Sequence, residues 1–178
     1  MKRLKLRLLS ISVLALLLSV QSCNSQVVPD HLLTSYEPLN DRLASLVPIE
    51  SYTIGPAEVQ NLDNPIFLDA REEEEYAVSH LPGALLLGYD SPNYGVLDAI
   101  AKDRPLVVYC TVGYRSDKMV SQLQDRGFTQ VYNLYGSLYA WSLFGLPLVD
   151  PAGEVTDRVH TYNRKWSRYY PYNDKEVY

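Results

Sequence analysis

The sequence predicts an α/β domain built on a mostly parallel sheet, and three observations lead there. From Tyr52 onward, short apolar runs alternate with helical stretches, and parallel strands need long crossovers that are usually helices. The run Leu106 to Tyr109 is apolar or aromatic at every position, as suits a strand covered on both faces. After it, Met119, Val120 and Leu123 fall on one side of a helix, and Gly127 supplies the stop.

The elements follow in order. "YTI" reads as a first strand and "GPAEVQNL" as its helix; "IFLDA" is a second strand, followed by the helical "REEEEYAVSHLPG". "ALLLG" is a third strand, and a loop leads into a helix over "GVLDAIAK". "PLVVYC" is the central strand, "YRSDKMVSQLQDRG" its helix, "QVYNL" a further strand and "GSLYAWSLFG" a last helix, in which Tyr139 and Trp141 face the core.

Before this domain, residues 1–22 read as an export signal. Lys2, Arg3, Lys5 and Arg7 form a basic region, and the apolar run Leu8 to Leu18 is short for a bilayer span. "LLLSVQSC" resembles a bacterial lipobox, with Val20 where Leu is usual and Gln21 where a small residue is usual. That resemblance implies cleavage before Cys23, lipidation of its thiol, and a place in the cell envelope, anchored to a bacterial membrane on its periplasmic or outer-membrane side. The alternative is an ordinary secretory signal cut near Ser22; either exports the chain. Of 178 residues, 16 are basic and 21 acidic; removing the four basic residues of the signal leaves 12 against 21, a net charge of −9. Such a surface disfavours nucleic acid as a partner. Residues 23–50, with Pro29, Pro38 and Pro48 and no sustained apolar period, read as a tether with a short helix near Leu39 to Leu46. The domain then occupies residues 51–150, and an aromatic-rich extension over 151–178 packs on it, with Trp166 and Tyr169 to Tyr172 covering its side.

The chain has two cysteines. With Cys23 lipidated, Cys110 has no partner for a disulfide, and an unpaired thiol in an exported protein needs a reason. Its position supplies one. Cys110 ends the central strand just before a helix, at the sheet edge where α/β folds bind ligands. A helix amino terminus presents free N–H groups and the positive end of its dipole, worth roughly 0.3–1 kcal/mol to an anion. Direct N–H bonds and a neighbouring cation stabilise a thiolate further. Gly113 suits a tight loop with inward amides, and Arg115 brings a permanent charge to its far side. Asp117, in the first helical turn, opposes the thiolate or stabilises the helix.

These residues resemble the rhodanese-like domains, sulfurtransferases whose active-site loop starts at a cysteine. "CTVGYRS" is similar to that loop. "FLDAREEEEYAVSHLPGA" is similar to the family's Asp-x-Arg-x-x-x-Glu-(Tyr/Phe) segment followed by Gly-His-Ile-Pro-Gly-Ala, and "GFTQVYNLYGSLYAWSLFGLPL" to the stretch with Gly-Gly, Trp and Gly-x-Pro. The likeness covers about Ser51 to Val149, and "VTDRVHTYNRKW" is similar to an extension of some single-domain members. It implies a three-layer α/β/α fold with a sheet of about five strands. It also implies a persulfide cycle in which Cys110 takes sulfur from a donor such as thiosulfate and passes it to a thiol or cyanide. The loop residues Thr111, Val112, Gly113, Tyr114, Arg115 and Ser116 then cradle the sulfur and a small sulfur-containing anion. Neither a metal nor an organic cofactor is implied, and no protein partner is identified.

Asp69, Arg71 and His80 read as structural residues near the site: Arg71 and Glu75 are spaced for a helical ion pair, and His80 fixes the backbone of a turn. The acidic run Glu72 to Glu75 reads as a solvated helix start. Ser79 and Ser137 stand where the family has Gly, and neither is expected to touch the loop. Two rivals remain. A non-catalytic sulfur carrier or binding module needs the same cysteine and loop. A cysteine phosphatase of the cell-cycle type, whose fold rhodaneses share, carries His-Cys followed by five residues and then Arg, whereas four separate Cys110 from Arg115; this shorter loop disfavours phosphatase or arsenate reductase.

Overall fold

The computed structural model describes residues 26–172, 174 and 176–178. The expected signal at 1–22 and its Cys23 lie outside the described residues. Among the described residues, no helix is long and apolar enough to cross a membrane.

Five strands form the central sheet: β1 (Thr53–Ile54), β2 (Ile66–Asp69), β3 (Leu85–Leu86), β4 (Leu106–Tyr109) and β5 (Val131–Leu134), in the order β1-β5-β4-β2-β3. Every pairing is parallel, so the carboxyl ends of all five share one edge. Along β4, alternation sends Leu106 and Val108 into one core and Val107 and Tyr109 into the other, and all four are buried. The first core is closed by helix α4 (Tyr114–Asp125) through Met119, Val120 and Leu123. The second is closed by α1 (Glu37–Ala44), α5 (Ser137–Leu143) and the carboxyl-terminal extension. The result is the expected three-layer α/β/α arrangement.

Two short helices, α2 (Pro56–Val59) and α3 (Glu73–Tyr76), complete the crossovers around β2. The stretch "GVLDAIAK" differs from its expected helix, being a single 3-10 turn at Tyr94–Leu97. The chain beyond it leaves in further tight turns, and Lys102 O accepts the Thr129 N–H instead of continuing a helical ladder.

Residues 26–50 also differ from a free tether. Leu32, Leu39, Leu43 and Val47 are buried in the second core, and each such side chain contributes about 1.5–3 kcal/mol relative to exposure. The reason lies at the other end of the chain. Beyond β6 (Leu148–Val149) and β7 (Val155–Thr156), the extension forms β8 (Val159–His160), helix α6 (Arg164–Ser167) and β9 (Glu176–Val177), with β8 and β9 paired in parallel. Tyr139 packs against Tyr170 at 4.9 Å, the Arg42 guanidinium lies 5.3 Å from the Trp166 ring, and Tyr36 donates to Arg168 O. The two flanking segments cover the same face and hold each other.

Candidate active site

Cys110 directly follows β4, and Gly113 caps α4 in the left-handed region at φ 108°. Only glycine adopts that conformation at little cost. The conformation turns the Gly113 N–H back on the cysteine, donating to Cys110 Sγ at 3.2 Å. The loop backbone is held from outside by α5 and β5. Leu138 N–H and Tyr139 N–H donate to the carbonyls of Cys110 and Thr111, and Ser137 Oγ accepts the Cys110 N–H at 3.0 Å while donating to Leu134 O. On β5, the Asn133 amide accepts from Ser116 Oγ at 2.7 Å and donates to Gly113 O at 3.1 Å.

The thiol is 1% exposed. Burial by itself pushes it up, but the Arg115 charge and the N–H groups of Ser116, Gly113 and Val112 together hold it below its ordinary value. The loop amides and the guanidinium are therefore already arranged to favour a charged sulfur. Cys110 lines a cleft of about 380 Å³, together with Thr111, Val112, Tyr114 and Arg115 of the loop, Glu72, Tyr89 and Asp90, and Leu46, Tyr162 and Trp166 from the flanking segments. The cysteine is shielded by protein on most sides and opens toward this cleft.

Each loop residue has a distinct place. Val112, Gly113 and Ser116 offer backbone N–H groups to the sulfur, and Tyr114, 44% exposed, stands on the cleft wall. Thr111 donates its hydroxyl to Glu75 Oε1 at 3.1 Å. Arg115 makes a two-pronged bond to Glu75, at 2.6 and 2.7 Å, and also donates to Thr111 Oγ1.

Glu75 is therefore not part of a solvated helix face, and it is not the partner of Arg71. It is buried, and Arg115 holds its carboxyl below the usual range against the opposing effect of burial. Arg71 instead grips Asp69, with Nε 2.9 Å from Oδ1 and Nη2 2.7 Å from Oδ2, both residues fully buried. The helical-spacing argument fails because α3 starts at Glu73 and leaves Arg71 outside it. Glu72 accepts the N–H groups of Tyr89 and Asp90.

His80 lies outside the cleft lining, stacked on Tyr76 at 3.8 Å and bridged to Val149. Asp117 accepts from the Tyr52 hydroxyl at 3.1 Å. Of the two departures from the family pattern, Ser79 donates to Arg158 O and pins the extension. Ser137, contrary to expectation, touches the loop through the Cys110 amide because α5 begins beneath it. Glu75, Asn133 and Ser137 are parts of the site that the sequence does not announce: the Asp-x-Arg-x-x-x-Glu spacing hints at Glu75 and the Gly-to-Ser departure at Ser137, while Asn133 leaves no trace.

Comparison with known proteins agrees with this geometry. The family described as "Rhodanese-like domain" matches residues 56–143. A sulfurtransferase of Allochromatium vinosum is 35% identical over 94 residues, spanning 51% of this chain and 84% of that protein. Thiosulfate sulfurtransferase GlpE of Actinobacillus succinogenes is 32% identical over 87 residues, spanning 48% of this chain and 77% of that protein. Among solved structures, the rhodanese-like domain of an Anabaena protein superposes with a TM-score of 0.51 at 22% identity, covering 57% of this chain and 80% of that one. That last likeness concerns the fold.

Proposed function

Because the chain belongs to the rhodanese-like domain family, we propose that it moves sulfane sulfur through a persulfide on Cys110. The observation that carries this reading is the Cys110 Sγ receiving the Gly113 N–H at 3.2 Å beside an open cleft. The thiolate attacks the outer sulfur of a donor such as thiosulfate. A new S–S bond forms, the donor's own S–S bond breaks, and sulfite leaves with that electron pair. The extra sulfur then carries the negative charge within reach of the loop amides and Arg115, which is covalent catalysis with a prepared anion site. An acceptor thiolate or cyanide attacks this outer sulfur in the second half, and Cys110 leaves as the thiolate.

We further propose that the domain works in the cell envelope on a lipid attached to Cys23. The supports are the basic and apolar leader and the sequence "LLLSVQSC". Intact mass measurement tests the chemistry: thiosulfate adds the mass of one sulfur atom to the wild type, and cyanide removes it. An absent adduct, or an equal one on Cys110→Ala, overturns the relay. Incorporation of an alkyne-tagged fatty acid in a bacterial host tests the anchor, which predicts loss of label in Cys23→Ala; retained label overturns it.

A further inference from the structure

We propose that the cleft over Cys110 selects, as sulfur acceptor, a small organic thiol with an apolar body and no negative charge, and that Tyr162 and Trp166 of the carboxyl-terminal extension are its specificity-determining residues. This rests on the persulfide relay proposed above and concerns its second half.

Size comes first. At about 380 Å³ the cleft falls in the range of small-molecule sites, far roomier than one sulfur atom or cyanide requires. Its walls are mainly aromatic and aliphatic: Tyr89, Tyr114, Tyr162, Trp166 and Leu46. Tyr162 is 51% exposed and Tyr114 44%, so wide ring surfaces stand open beside a nucleophile. Aromatic walls of this kind bind apolar bodies by area and by ring contact.

Charge points the same way. The one basic residue lining the cleft, among the described residues, is Arg115, and both of its terminal nitrogens are bound to Glu75. Two further carboxylates, Glu72 and Asp90, line the cleft. At the periphery, Arg42 lies over the Trp166 ring and Lys118 over the Tyr114 ring, and Lys118 also pairs with Asp117. Arg115 suffices for the sulfur anion itself, but the lining holds no second cation for an anionic acceptor body. The recognising walls also come from outside the core of the family: Leu46, Tyr162 and Trp166 lie beyond the matched residues 56–143. Tyr162 is held in place, with a left-handed φ of 66°, its N–H donating to His160 Nδ1 and its ring 5.0 Å from the Arg115 guanidinium carbon.

The step balances without a further reactant. The acceptor thiol gives its proton to solvent, and its thiolate attacks the outer sulfur of the persulfide. The bond from that sulfur to Cys110 Sγ breaks, its electron pair returns to Sγ, and the acceptor leaves as an organic persulfide.

The test loads Cys110 with thiosulfate, confirms the adduct by mass, and times its discharge by benzyl mercaptan, by 4-(mercaptomethyl)benzoate and by cyanide. Wild type is expected to prefer benzyl mercaptan to its carboxylated analogue by about tenfold, as expected from like charges in a partly screened cleft. Tyr162→Ala and Trp166→Ala are each expected to slow benzyl mercaptan by about tenfold, the loss of one aromatic contact, and to lower the ratio of the benzyl mercaptan rate to the cyanide rate, the cyanide rate absorbing any loss through the Tyr162 contact with Arg115. Tyr162 is exposed enough that its truncation leaves folding intact, so the result does not depend on Trp166. If the adduct forms but the carboxylated thiol is accepted equally, or cyanide and benzyl mercaptan slow in parallel, acceptor selection is overturned while the relay stands. If no adduct forms, both fall.

Discussion

Two arginine–carboxylate pairs, whose carboxylates Asp69 and Glu75 stand on either side of the start of α3, serve different ends. Arg71 with Asp69 is fully sealed, both side chains having no solvent exposure. Arg115 with Glu75 is equally tight, at 2.6 Å against 2.7 Å, but its arginine side chain keeps 15% exposure on the cleft and faces the cysteine. On the proposed role of Cys110, identical chemistry thus fixes architecture in one place and tunes a nucleophile in the other. What separates them is access to a reactive atom, not the strength of the bond.

Removing Arg71 should produce the largest effect. Arg71→Met leaves the Asp69 carboxylate buried without its partner, and chemical denaturation should show a loss of about 3–5 kcal/mol. Replacing both partners, Asp69→Asn with Arg71→Met, should recover part of that loss, since no uncompensated charge remains. If Arg71→Met is as stable as wild type, the sealed pair is not a structural anchor.

Arg115→Met should behave the other way round. Its space opens to the cleft, where water can reach Glu75, so stability should fall less than in Arg71→Met. The kcat/KM with thiosulfate should drop about tenfold or more, corresponding to about 1.4 kcal/mol of lost transition-state stabilisation. Unchanged kinetics would make Arg115 a second architectural residue and erase the contrast.

How much of this contrast the sequence reveals depends on where each partner sits. Cys110, Gly113 and Arg115 are legible because loop, strand and helix start lie in one local stretch. The Arg115–Glu75 pair is not, because its partners come from α4 and α3, which only the sheet order brings together. Arg71 and Glu75 have helical spacing, but the backbone is not yet helical at Arg71. Asn133 reads as one polar position in a short strand, and nothing local tells that both ends of its amide tie the cysteine loop. The burial of Leu39 and Leu43 is equally hidden, since the surface they meet is completed by residues more than a hundred positions later.

Ser137 offers the smallest and most discriminating effect. Its φ of 48° is left-handed, a conformation that costs a non-glycine residue roughly 1–2 kcal/mol, while its bond to the Cys110 amide is worth about 0.5–1.5 kcal/mol net. Ser137→Ala keeps the strain and loses the bond, so it should be destabilised by about 1 kcal/mol. Ser137→Gly loses both and should stay within about 1 kcal/mol of wild type. If Ala and Gly behave alike, the hydroxyl and the backbone strain do not offset each other at this position.

The pH dependence of Cys110 alkylation tests most directly whether the cleft pair tunes the sulfur. The folded thiol is held below its ordinary value by Arg115 and the loop amides, so its reaction with iodoacetamide should level off at lower pH than that of the unfolded chain. Removing the Arg115 charge destabilises the thiolate, so Arg115→Met should move the midpoint upward while Asp69→Asn with Arg71→Met leaves it in place. A midpoint equal to that of the unfolded chain, or one that shifts alike in both variants, would contradict the assignment of Cys110 as a poised nucleophile.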